Sequence, residues 1–496
     1  MAVGAGATGG DPQGSGGGPG QASLGRIAVV GLVVLAIAVA LIVYAAARAQ
    51  EPSGGAEEAG APETTDSATR TVRVLTVDGD TDKPLPSATV WVGTDGAAGH
   101  GVRTDSSGQT TVSAGQGWLV RATKSGWTDD EARVATVAVT VRLLLYEEKR
   151  QWTKFGYDLA RTNHNPSFTD RPPYELAWRY EAVTLLEFPV SAYKGVVVGT
   201  TGRGRVFCLD AKTGEERWRV QTRSVFAAQP ALSGDKAYVT GMDGRVYCFR
   251  LSDGKILWRF NTGGPIESSP VVDGDRLYTG TWNNAVYCLH ARTGRPLWRF
   301  ETGGDVKGTP AISGNRLYVG AYDGSLYCID KRSGRSIWRE HLGGTIYSAP
   351  AVSDGRVYVG TTAGTVDCLS AAGGGRVWRY VTGDSHFGVY SSPAVAHGLV
   401  YVGSFDGRFY ALNARTGSLR WSFYAEGDVS GSPAVIGDIV YMASLAGHTW
   451  ALEARTGEVL HRFPDGRYTP ASANGDLLFI AGRKVLYAYR GSRVEK

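Results

Sequence analysis

Tryptophan recurs every 40 residues, at Trp178, Trp218, Trp258, Trp298, Trp338 and Trp378, then at Trp421 after a three-residue insertion, with His461 in the next place. A fixed period of this length means that one supersecondary unit is copied along the chain, and that each copy buries its apolar face against the next. Glycine stands four residues before each place from Trp218 onward (Gly214, Gly254, Gly294, Gly334, Gly374, Gly417 and Gly457), and a third ladder is proline, at 189, 230, 270, 310, 350, 393, 433 and 470. In one unit, Ser269–Val272, Arg276–Gly280, Ala285–Leu289 and Pro296–Phe300 read as four short strands between turn residues. Asp-Gly pairs such as Asp243-Gly244, Asp323-Gly324 and Asp406-Gly407 fall between the second and third strands, where a type I′ turn needs positive φ. Four antiparallel strands per repeat make a propeller blade. Eight proline places and eight tryptophan places give eight blades, provided Leu176–Tyr180, which precedes the first proline, completes the last sheet. That closure removes an exposed edge.

The expected fold class is therefore all-β: an eight-bladed β-propeller over residues 174–490, a small β-sandwich before it, and one N-terminal transmembrane helix. Residues 1–25 are Gly-rich and polar and read as a disordered tail. Residues 26–48 read as a membrane anchor, since Ile27–Ala47 is an uncharged run of 21 residues, longer than the apolar core of a cleaved signal peptide. The acidic, Pro- and Gly-containing stretch 49–70 reads as a flexible linker. Residues 71–146 alternate polar and apolar in short runs between turns, and 147–173 read as a connector. The resulting localisation is the cell membrane, single-pass, with the N-terminus cytoplasmic and the propeller outside.

Two resemblances sharpen this outline. Leu209-Asp210-Ala211-Lys212-Thr213-Gly214 through Trp218 resembles the L-D-A-x-T-G-x-x-x-W motif of pyrroloquinoline-quinone (PQQ)-like, or quinoprotein-type, propeller repeats. The runs Leu289–Trp298 and Leu412–Trp421 repeat it. The resemblance implies one of two branches: PQQ-dependent dehydrogenases, or cofactor-free scaffolds of the kind exemplified by the outer-membrane assembly protein BamB. Lys83-Pro84-Leu85-Pro86-Ser87-Ala88-Thr89-Val90 resembles the opening of carboxypeptidase-regulatory-like sandwich domains, which implies a spacer or adhesive module.

The chemistry points to binding rather than catalysis. Cys208, Cys248, Cys288, Cys328 and Cys368 lie 40 apart, and Ala411, Ala451 and Ala488 fill the same place in the other blades, so the slot is a small packing site. No Cys-Cys pair exists, and the eight histidines show no metal-ligand spacing. No cofactor is expected; PQQ with calcium is the alternative, for which Glu267, Asn283 and Asn284 are the best local ligands. A net charge of +5 on 52 basic and 47 acidic residues, without a basic run, excludes a nucleic-acid footprint.

Variation on the repeat then marks the candidate surface, because a rigid scaffold presents function on its loops. Three residues before each proline come Leu186, Ala227, Glu267, Lys307, Tyr347, Tyr390, Ser430 and Arg467, which should ring one mouth of the channel. On the same face come Met242, Trp282, Tyr322, Phe405 and Leu445, and the insertion adds His386 and Phe387. The expected function is a binding or assembly scaffold in the cell envelope, with a protein, peptide or cell-wall polymer as partner. A PQQ-dependent oxidoreductase and a carbohydrate-sensing propeller are the alternatives.

Overall fold

The computed structural model describes residues 69–94, 101–135, 140–383, 386–466, 468 and 471–493. Eight sheets of the propeller follow one another, and in the first seven the chain runs from an inner strand to an outer one. Blade 1 comprises Ser191–Tyr193, Val196–Thr200, Arg205–Asp210 and Glu216–Gln221. Blade 8 takes three strands from the C-terminal end, Ala471–Asn474, Leu477–Ala481 and Val485–Arg493, and its outer strand from Asp170–Glu181. The two ends of the ring pair antiparallel, with Trp178 opposite Ala488.

The sequence expectation needs one correction. An all-β chain is what the structure has, but a transmembrane helix is not among its elements: among the described residues no helix is long and apolar enough to cross a membrane. The one helical turn among the described residues is Glu148–Arg150. The 26–48 segment lies outside the described residues.

The tryptophan and glycine ladders turn out to be two halves of one contact. The Trp258 indole donates from Nε1 to the carbonyl of Ala291 in the next blade at 3.1 Å. Its ring covers Gly294, whose φ is +72° and where an added Cβ would lie 2.5 Å from Cε3 of that ring. The same donor reaches the same place from Trp178 through Trp421, for example Trp218 to Leu251 at 2.7 Å and Trp421 to Ala454 at 3.1 Å. Each indole thus clamps the third-to-outer-strand turn of the neighbouring blade. His461 breaks the ladder for a physical reason: blade 8 has no such turn, because its outer strand arrives from the other end of the chain. The His461 ring packs edge-on against Tyr174 of that closing strand instead, 5.4 Å between centroids.

The five cysteines are buried and unpaired, each opposite the tryptophan of its own blade, as Cys288 is opposite Trp298. Burial pushes their thiols up, to about 12 at Cys208, Cys248 and Cys368. We expect a thiol reagent such as DTNB to label none of them in the native chain and all five after denaturation, read by absorbance; rapid native labelling would mean that the blades open locally.

The connector does more than link domains. Backbone carbonyls of Trp152, Thr153, Leu159, Ala160, Thr162 and Asn163 accept from the amides of Ala192, Leu232, Ile312, Val352, Val395 and Val435, at 2.6–2.8 Å. These are inner-strand residues of blades 1, 2, 4, 5, 6 and 7, so the connector winds around the inside of the channel in blade order. At its end His164–Asn165 pairs parallel with Ala434–Ile436. Inner strands would otherwise leave unpaired amides facing the channel, and the connector satisfies them.

The sandwich has a sheet built on Arg70–Asp78 and a second on Thr89–Gly93, Leu119–Thr123 and their neighbours. Val72, Val74, Val90, Val120, Leu143 and Leu145 fill the space between them. It sits where the inner strands turn into the second strands. There Lys194 Nζ donates to the Asp129 carbonyl at 2.5 Å, Lys212 pairs with Asp82, and Asn474 Nδ2 reaches Asp80 at 3.4 Å.

Candidate functional site at the channel mouth

The opposite end of the channel is a cavity of about 210 Å³. Its floor is Phe155, supplied by the connector and set edge-on to Phe188 at 6.1 Å. Glu187, Glu267, Lys307, Thr309, Tyr347, Tyr390, Ser392, Phe405, Ser430, Ser432, Leu445 and Tyr468 line its wall, with Gly308, Ala349 and Gly431 between them. The mouth is therefore apolar over much of its wall, with a few convergent polar groups, which is the usual character of a binding cavity.

Of the ring expected from the sequence, Glu267, Lys307, Tyr347, Tyr390 and Ser430 line the cavity, together with Phe405 and Leu445. Trp282 and Tyr322 stand at the rim and hold Lys307: its ammonium lies 3.8 Å from the Trp282 ring centroid, 4.5 Å from Tyr322 and 5.6 Å from Tyr347. Leu186 and Ala227 are buried and take no part. His386 is exposed at the surface, and Phe387, 53% exposed, packs on Phe405 at 5.2 Å and on Tyr390 at 6.2 Å. Arg467 lies outside the described residues.

The polar centre is Glu267. The Tyr347 hydroxyl donates to its carboxylate, and the Lys307 ammonium stands 4.0 Å away. Burial pushes the Glu267 carboxyl up to about 7, with Lys307 opposing the rise and Glu187 adding to it. From there aromatic rings run on around the mouth: Tyr347 stacks on Tyr390 at 4.7 Å and 14°, and Tyr390 meets Phe405 at 5.0 Å. The arc thus spans blades 3 to 6.

Sequence reasoning missed Phe155, Glu187, Phe188 and Tyr468. For two of them a signal was present. Two residues before each proline the blades carry Ala228, Ser268, Gly308, Ser348, Ser391 and Gly431, all small, whereas blade 1 has Glu187 and blade 8 has Tyr468. Phe155 belongs to no repeat, so no register could have placed it.

Fold and site together define an eight-bladed propeller whose channel is lined by the chain's own connector and opens at one end to an aromatic mouth. A family model described as outer membrane protein assembly factor BamB matches residues 175–266, 242–327, 283–386 and 362–494, which is more than half of the chain. The chain belongs to this family of PQQ-like propeller repeats. Among solved structures it is similar to BamB from Moraxella catarrhalis, with a TM-score of 0.56 and 17% identity over 66% of this chain and 100% of that one. It is also similar to the quinohemoprotein alcohol dehydrogenase of Comamonas testosteroni, with a TM-score of 0.62 and 15% identity over 70% of this chain and 82% of that one. A europium-containing methanol dehydrogenase gives a TM-score of 0.62 at 13% identity, over 69% and 98%. At these identities the structures share the fold. No curated protein matches the chain.

Proposed function

We propose that the protein is a binding scaffold of the cell envelope, which holds a protein or peptide partner at the aromatic mouth of its propeller. The observation that carries this reading is the asymmetry of the ring. One end carries the sandwich, and the other presents the arc from Trp282 to Phe405 around a side-chain-sized cavity. Aromatics around a partly desolvated ion pair are the composition of an interface anchor.

Donor chemistry supports this reading over quinone-dependent oxidation. Among the described residues, no three His, Cys, Asp or Glu side chains converge as metal ligands, so a calcium ion here would have to draw on amide, backbone and water oxygens. The cavity would also set a polyanionic quinone against Glu187 and Glu267, with Lys307 the one cation among its described lining residues. This donor set supports a cofactor-free reading of the mouth over PQQ with calcium.

A photo-crosslinking amino acid at Tyr322 should give a discrete adduct in intact cells, and the same probe at Ser353, in the sandwich-side turn of blade 5, should not. Changing Trp282, Tyr322 and Phe405 together to Ala should remove capture, probed from Phe387, while leaving thermal unfolding cooperative. Capture that persists in the folded triple variant overturns the proposal. Saturable heat on titrating PQQ and calcium would favour the oxidoreductase instead.

A further inference from the structure

The connector carries a charge that the fold does not neutralise. Arg161 is 1% exposed, and its Nε donates to the Pro310 carbonyl at 3.0 Å. Both terminal nitrogens, Nη1 and Nη2, lack any hydrogen-bond partner among the described residues. The nearest acid on its own loop, Asp158, is already engaged by Thr162, through the backbone amide at 3.0 Å and the hydroxyl at 2.5 Å. A second cation, Lys154, stands in the same loop, and Asp273, which faces it, is paired with Lys331 at 2.6 Å. Burial lowers Lys154 to about 8, with Arg161 adding to the fall, and lowers Arg161 itself to about 9.

The backbone is bent to make this arrangement. Tyr157, Arg161 and Asn163 all have positive φ, at +67°, +61° and +51°. Gly156 lies so close that an added Cβ would fall 2.7 Å from Cδ of Arg161. Strain and a buried, half-satisfied guanidinium are both unfavourable, and their coincidence in one loop calls for a compensating partner. Two adjacent guanidinium N–H groups match the paired oxygens of a carboxylate or phosphate.

We propose that the loop from Lys154 to Arg161 binds a small oxyanion, held edge-on by the Arg161 guanidinium and reached past Lys154. Lys154, Asp158, Leu159 and Ala160 of this loop also line a cavity of about 750 Å³ on the sandwich side, with Ser233 and Ser313, whereas Arg161 lies behind its wall, on the Pro310 carbonyl. The cavity opens beside blade 3, the described blade between those whose inner strands bond to Thr153 and to Leu159. Arg161 is not among the residues that line the aromatic mouth, although Pro310, which it bonds, follows Thr309 of that lining, and the proposal does not depend on the partner proposed there.

The test is thermal unfolding of the full chain, dialysed into chloride, against inorganic phosphate and against acetate at matched ionic strength. We expect a saturable rise in Tm of about 2 °C or more for the preferred anion, complete below about 5 mM, where salt exclusion from the surface is negligible. Phosphate alone raising Tm assigns a phosphate site, and acetate alone a carboxylate site. Arg161→Met should unfold at the same temperature in all three salts. Lys154→Met should shift the half-saturating concentration upward about fivefold, and it carries the test if Arg161→Met does not fold. Equal Tm of the wild type in all three salts overturns the proposal, and so does an Arg161→Met variant that keeps the full response; either result would leave the guanidinium to buried water.

Discussion

Replacing Trp258 with alanine should destabilise the propeller by about 3 kcal/mol, the low end for a large aromatic because the indole is only partly buried. The lost packing lies between blades, where the indole covers Gly294 and bonds the Ala291 carbonyl. Gly294→Ala alone should cost a further comparable amount. A methyl at φ +72° carries backbone strain of about 1–2 kcal/mol, and the clash 2.5 Å from the indole adds about 1–3 kcal/mol. The informative quantity is the double variant. With the indole gone, the new methyl meets no ring, so the pair should be less destabilised than the sum by about 1–2 kcal/mol in urea unfolding. Gly314→Ala is the control, since its φ is +58° but nothing lies within 4 Å of the added carbon. Strict additivity of Trp258→Ala and Gly294→Ala would mean that the glycine serves only the turn, and that the two ladders are not one contact.

The second large effect concerns the seam between sandwich and propeller, and it depends on pH. Asp80 is wedged against the blade 8 turn, where a Cβ on Gly475 would lie 2.9 Å from its Cγ. Its Oδ2 and the Oδ1 of Asn474 are both buried without a partner among the described residues, two acceptors that one proton between them could satisfy. Burial pushes the carboxyl from 3.8 to about 7; Asp78 and Asp476 add to the rise, and Arg150 and Lys212 oppose it. The folded chain therefore holds a proton that the unfolded chain has released between about pH 4 and 7. Stability contributed by the neutral form is complete below the unfolded value and is lost as pH rises through 7. Asp80→Asn removes the titration and can donate to Asn474, so at pH 8 it should stabilise the chain by on the order of 3 kcal/mol. At pH 4 the gain should shrink toward zero. Equal Tm differences at the two pH values would show that the carboxyl is solvated in the fold.

The repeat made most of the propeller legible. Its tryptophans and turn glycines are fixed by one contact that recurs from Trp178 through Trp421, so their spacing reports the architecture directly, including the outer strand that Asp170–Glu181 lends to blade 8. What does not recur was harder to see. The connector has no period and little apolar patterning, because it follows a ring of carbonyl acceptors and donors rather than a packed face, and nothing in Trp152–Asn165 announces that path. The candidate mouth was partly legible for the same reason. Residues three before the proline could be placed by register, whereas Glu187 and Tyr468 sit one step further along and Phe155 comes from outside the repeat. Arg161 was invisible: its significance lies in the partners it lacks, and sequence shows only the side chain. The membrane helix read from hydropathy at 26–48 has no counterpart among the described elements.

The closing strand also sets the order in which the ring can be made. Trp178 leaves the ribosome long before Ala488, its partner across the sheet. At about 5–20 residues per second the wait is on the order of tens of seconds. Through that interval blade 8 cannot exist, and the strand Asp170–Glu181 stands open at its edge. The connector leaves just ahead of it, so each new blade emerges to find the backbone it will bond to already present, and the ring is wound around an axle laid down first. A ribosome that stalls within the last blade would release an open ring with an unpaired strand at its seam, a far better substrate for chaperones and proteases than one that stalls in the sandwich.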